Sequence, residues 1–125
     1  MKTSKTVLAI LAIVVLAAAA MATFSFTGNA VNGSYDEFAQ CLTTSGVKMY
    51  GAYWCPHCNN QKAAFGSSWK YVSYVECSLP GGQGQTQECT EAGITGYPTW
   101  VFQDGSRVSG EQSFETLSQK SGCEL

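Results

Sequence analysis

Two cysteines, Cys55 and Cys58, stand two residues apart at a junction in the chain. Before them runs Val47-Lys48-Met49-Tyr50-Gly51-Ala52-Tyr53, apolar apart from Lys48, which reads as a strand. After them comes Asn59-Asn60-Gln61-Lys62-Ala63-Ala64-Phe65, a helix candidate closed by Gly66. Pro56 suits the first helical turn, where the N–H it lacks would find no partner. The junction therefore places the Cys55 sulfur at a helix N-terminus. It also constrains the topology, because a strand followed by a crossover helix pairs in parallel with the next strand.

The remaining segments extend this pattern. Ser34, with Glu37 three residues later, forms a capping box, and Phe38, Cys41 and Leu42 share one face of the helix that follows, to about Ser45-Gly46. Tyr71-Val72-Ser73-Tyr74-Val75-Glu76-Cys77 has the β-branched and aromatic content of a second strand. Pro80-Gly81-Gly82-Gln83-Gly84 reads as a loop, and Thr86 to Ala92 as a short helix closed by Gly93. Ile94 to Phe102 carries Pro98 beside a strand, Asp104-Gly105 marks a hairpin, and Arg107-Val108 begins the returning strand. A last helix opens at Gly110 or Ser113 and carries Phe114 and Leu117. The order is helix, strand, helix, strand, helix, strand, strand, helix.

The N-terminal part has another character. Val7 to Phe26 contains no charged residue, and about twenty apolar residues span a bilayer as a helix. Lys2 and Lys5 precede the run and no Lys or Arg follows before Lys48, an asymmetry that puts the N-terminus in the cytoplasm and the domain outside. A cleaved signal peptide is the competing reading, since Ala20-Met21-Ala22 and Gly28-Asn29-Ala30 both suit a cleavage site. The length of the run favours an uncleaved single-pass anchor. Residues 1–26 are thus expected to form the anchor or signal peptide, 27–33 a linker with a glycosylation sequon at Asn32, and 34–125 the folded domain. After residue 30 there are five Lys/Arg against nine Asp/Glu, and no basic patch to hold a nucleic acid.

The stretch Lys48 to Lys62, with Tyr74-Val75-Glu76-Cys77 and Gly93-Ile94-Thr95-Gly96-Tyr97-Pro98-Thr99-Trp100, resembles the thioredoxin-like domain fused to bacterial homologues of vitamin K epoxide reductase. The resemblance covers nearly all of Phe38 to Leu125, and the Cys-Pro-His-Cys tetrapeptide also resembles DsbA-type oxidases. It implies an α/β, thioredoxin-like fold, a central mixed sheet flanked by helices, behind an N-terminal transmembrane helix. It also implies a thiol–disulfide oxidoreductase without a bound cofactor. Two departures matter. Only 39 residues separate Cys58 from Pro98, too few for the helical insertion of DsbA-like proteins. There is also one apolar segment, where the fused homologues carry a four-helix quinone-reducing domain, so the oxidase partner is expected to act in trans.

In this reading Cys55 is the nucleophile, its thiolate stabilised by the helix N-terminus and by His57 when protonated. Cys58 is the resolving thiol. A stabilised thiolate stabilises the reduced form and makes the couple oxidising. Many thioredoxins carry a buried acid six positions before the first cysteine; here that position is Met49, which leans toward an oxidant. The resemblance implies that Pro98 is cis and lies against the cysteine pair, with the backbone of Tyr97 open to an extended substrate. Trp54, Tyr53 and Tyr97 could form an apolar rim, although Tyr53 is better read as core packing. A zinc site would need more ligands than the only histidine, His57, and one Cys-x-x-Cys supply.

Four further cysteines allow three pairings. A Cys77–Cys89 bridge would staple the Gly-rich loop, and a Cys41–Cys123 bridge would join the ends of the domain. The alternative is that one pair relays electrons. The expected function is an extracytoplasmic oxidase that passes disulfides to exported cysteine-containing proteins and is reoxidised by a vitamin K epoxide reductase-like, quinone-linked membrane protein. The alternatives are a reductase or isomerase with the same site, and a non-enzymatic, disulfide-stapled module on the membrane.

Overall fold

The structure, a computed structural model, describes residues 34–125. The anchor expected at 1–26, the linker at 27–33 and the Asn32 sequon lie outside the described residues. Among the described residues, no helix is long and apolar enough to cross a membrane.

The elements follow the expected order. Helix α1 (Asp36–Thr44) leads to β1 (Lys48–Gly51), α2 (Pro56–Phe65), β2 (Tyr74–Glu76), α3 (Gln87–Glu91), β3 (Thr99–Val101), β4 (Arg107–Ser109) and α4 (Phe114–Ser121). The sheet order is β2-β1-β3-β4. Strands β1 and β2 are parallel, as the α2 crossover requires, and β3 is antiparallel to both β1 and β4. The sheet is therefore mixed.

Alternation along β1 divides the core. Met49 is fully buried, lies opposite Trp100 of β3, and joins Phe38, Leu42, Phe65 and Leu117 in the larger cluster. Tyr50 faces the other way, toward Cys77, Cys89 and Ile94. Phe65 stacks on Phe38 and packs against Trp100 and Phe114, which locks α2 to the sheet and to both terminal helices.

Three expectations are corrected. Ser34 does not cap α1: Tyr35 holds that position, with no side-chain cap. Asp36 instead accepts a 2.6 Å hydrogen bond from Ser68, and the Ser34 hydroxyl lies 3.5 Å from the same Ser68 hydroxyl. The second strand is shorter than its composition suggests. Residues Gly66–Tyr71 wind into a 3-10 helix, and the Thr43 hydroxyl donates to the Tyr71 carbonyl and accepts from the Ser73 amide, so ladder pairs begin only at Tyr74. Tyr53 is not core; it is 51% exposed.

Both bridges read from the sequence are formed. Cys41 joins Cys123 and Cys77 joins Cys89, with Cα–Cα distances of 5.8 and 5.6 Å. Cys41 lies in α1 and Cys123 just beyond α4, so the first bridge ties the two ends of the described domain.

Candidate active site

Cys55 and Cys58 are the free cysteines among the described residues. Cys55 is the N-cap of α2, in extended backbone, and Pro56 follows in the first turn. Its amide donates to the Ala52 carbonyl at 3.0 Å and its carbonyl accepts from Asn59 at 3.1 Å, which fixes the turn from strand to helix. Cys55 keeps 5% of its surface exposed and Cys58 none. A solvent-borne disulfide thus meets Cys55 first. Burial pushes the Cys58 thiol up to about 12, reinforced by its neighbour Cys55.

Pro98 is buried and the Tyr97–Pro98 peptide is cis. The Cys55 thiol donates to the Tyr97 carbonyl at 3.6 Å. The proline loop is held from both sides: Gly110 donates to the Pro98 carbonyl, and the Tyr97 hydroxyl donates to Gln85 at 2.6 Å. Trp54 meets the Tyr97 ring edge-on at 5.9 Å and donates from its indole to Ser78 at 2.8 Å, yet stays 51% exposed. The dithiol, the cis proline and the two aromatic residues therefore converge on one edge of the domain. Tyr53 belongs to the same exposed rim.

His57 also stands near the dithiol, but it is engaged. Its Nδ1 lies 2.6 Å from Glu111 Oε1, which also accepts from Asn60 at 3.0 Å. These bonds hold the Glu111 carboxyl below its ordinary range. Buried Gln61 of α2 pins the same loop: its side-chain oxygen accepts from the Gln112 amide at 2.7 Å and its nitrogen donates to the Gln112 carbonyl at 3.1 Å.

Four residues of this neighbourhood escaped the sequence reading. Glu111 and Gln61 are ordinary polar residues in their local sequence, and only the fold brings them together with the site. Tyr74 and Glu76 carried a signal: Glu76 is the one charge in an otherwise uncharged strand candidate, two residues from Tyr74 and on the same face.

A parallel βαβ unit extended by an antiparallel hairpin, with a Cys-x-x-Cys helix N-terminus against a cis proline, defines the architecture. The fold is thioredoxin-like. Over 91 residues, 70% of its length, the chain is 41% identical to the thiol-disulfide oxidoreductase LTO1 of Arabidopsis thaliana. The chain spans 24% of that protein's length. Among solved structures it is similar to a thioredoxin of Malassezia sympodialis, at 25% identity, a TM-score of 0.41, and coverage of 71% of this chain and 87% of that one. No family model matches the chain.

Proposed function

We propose that this chain is a thiol–disulfide oxidoreductase that introduces disulfides into exported proteins. One observation carries the reading. Cys55 is barely exposed at a helix N-terminus, 3.6 Å from the carbonyl before a cis proline, with a buried free thiol one turn further on. In the oxidising direction a substrate thiolate attacks Cys55 of the Cys55–Cys58 disulfide, and Cys58 leaves. A second substrate thiolate then attacks the substrate sulfur of the mixed disulfide and releases Cys55. The substrate departs with a disulfide, and its two electrons remain on the dithiol. Trp54 and the Tyr97 backbone would hold the substrate as an extended segment.

The 41% identity to a thiol-disulfide oxidoreductase supports the chemistry. The uncharged run Val7–Phe26, the flanking lysines and the two bridges support a membrane-anchored domain on the extracytoplasmic side. Reoxidation would fall to a vitamin K epoxide reductase-like, quinone-linked membrane oxidase.

Trapping tests the reading. In Cys58→Ala the Cys55 thiolate can still attack a disulfide of an exported protein or of the oxidase, but no Cys58 thiol is present to release that partner. Adducts with both should therefore accumulate, while Cys55→Ser traps nothing. Absence of adducts would leave only a stapled binding module. The redox potential sets the direction: a value near about −120 mV supports an oxidant, and one near about −270 mV a reductant.

A further inference from the structure

In exchange chemistry Cys58 must lose a proton to attack and regain one after leaving, yet it is fully buried. Met49, on the adjoining strand β1, carries no titratable group. Gly51, two residues on, leaves a gap. A Cβ there would lie 2.9 Å from Cys58 Sγ, 2.9 Å from Tyr74 Cε2 and 3.3 Å from the Tyr74 hydroxyl. Thiol and phenol therefore border the same small space between β1, β2 and α2.

The phenol leads onward. Tyr74 donates to Glu76 Oε2 at 2.7 Å, and Glu76 Oε1 accepts from the amides of Tyr53 at 3.2 Å and Ser78 at 2.9 Å. Tyr74 and Glu76 are both half-buried, whereas Cys58 is sealed. From α2, Lys62 places its ammonium 3.8 Å from the centre of the Tyr74 ring. The other titratable groups nearby are Cys55, His57, which is held by Glu111, and Tyr97, whose hydroxyl is held by Gln85.

We propose that Tyr74 and Glu76 carry the proton of Cys58, the phenol passing it across the space at Gly51, directly or through one water, to the Glu76 carboxylate. The inference rests on the dithiol reading above. In the resolving step the Cys58 proton moves to Tyr74 as the Tyr74 proton moves to Glu76. The Cys58 electron pair forms the bond to Cys55, the bond from Cys55 to the bound thiol breaks, and that thiol leaves with the electron pair as a thiolate. In the oxidising direction the proton returns by the same path to the departing Cys58.

Reaction of the reduced full chain with an aromatic disulfide, 5,5′-dithiobis(2-nitrobenzoate), separates the two readings. Attack by Cys55 releases one coloured thiolate; attack by Cys58 on the mixed disulfide releases a second. Glu76→Gln keeps an acceptor for the Tyr53 and Ser78 amides but cannot take a proton. Tyr74→Phe removes the carrier, and it decides the matter alone if Glu76→Gln does not fold. In both variants the first release should match wild type. The second should slow about tenfold or more at neutral pH and recover as the solution becomes strongly alkaline. A second release that is unchanged, or slowed equally at every pH, would overturn the proposal and leave these residues a structural role. Loss of the first release in wild type would overturn the dithiol reading itself, and this proposal with it.

Discussion

The imidazole of His57 shares a 2.6 Å hydrogen bond with Glu111, 54 residues further along the chain. The contact joins the first turn of α2 to the loop before α4, so one of the two residues between the active cysteines is braced by a distant segment. Because the bond holds the Glu111 carboxyl below its ordinary value of 4.5, its contribution to stability is present above that pH. It is lost as the pH falls through the lowered value. The thermal stability gap between wild type and Glu111→Gln should close as the solution is acidified below about pH 4.5, through the lowered value. A gap that persists undiminished in acid would exclude this account.

Cys58 predicts the opposite limb. Its thiol is raised from 9.0 to about 12 by burial, so the folded reduced protein holds a proton that the unfolded chain releases first. The stability of the reduced form is therefore complete below pH 9 and declines between pH 9 and about 12. The limiting slope for one such group is about 1.4 kcal/mol per pH unit. Burial raises Tyr74 in the same direction and adds to the decline. Denaturant titrations of Cys58→Ala should show a shallower alkaline decline than the wild type.

Gly51 has an ordinary backbone conformation, so its role is space. Gly51→Ala would drive a methyl to 2.9 Å from both Cys58 Sγ and Tyr74 Cε2. Overpacking of this kind costs about 1–3 kcal/mol. A lower denaturation midpoint should accompany a changed ratio of first to second thiolate release, since the methyl occupies the space between thiol and phenol.

Trp54 should separate binding from chemistry. Half of it is exposed, and it is held by one hydrogen bond to Ser78 and an edge contact with Tyr97. Trp54→Ala is expected to cost about 2–3 kcal/mol of stability, from the buried half of the ring and its hydrogen bond, without unfolding the domain. The KM for a cysteine-containing peptide should rise, with little change in the rate toward a small aromatic disulfide. Equal losses toward both would place Trp54 in the chemistry instead.

The two bridges differ in reach, spanning sequence separations of 82 and 12. In the chain-entropy model, removal of Cys41–Cys123 costs about 4–5 kcal/mol and removal of Cys77–Cys89 about 3 kcal/mol. Double alanine variants measured by denaturant unfolding should follow that order and keep the reactivity of Cys55. If one pair relays electrons, its loss should instead stop turnover of protein substrates while leaving the first thiolate release intact.

The elements legible in the sequence were those whose signals are local. Pro56 starts α2, Gly66 ends it, and Ser113 accepts from the Thr116 amide at the start of α4, because turn and cap chemistry acts within a few residues. The dithiol was legible because its spacing is local, whereas the four other cysteines allowed three pairings, of which the fold forms Cys41–Cys123 and Cys77–Cys89. Ser34 misled because its hydroxyl had a rival partner, Ser68, 34 residues away. The 3-10 turn at Gly66–Tyr71 was hidden because the competing partner, Thr43, lies on another helix.

By itself, then, the sequence determined the order of elements, the dithiol at a helix N-terminus and the cysteines available for bridging. Periodicity, capping and sulfur chemistry need only near neighbours to be read. Only the tertiary structure decided what surrounds the two sulfurs: the Tyr97 carbonyl at Cys55, Glu111 at His57, and Tyr74 with Glu76 beside the gap that Gly51 leaves. Those contacts depend on strand register and helix placement, which bring together groups with no local mark of association.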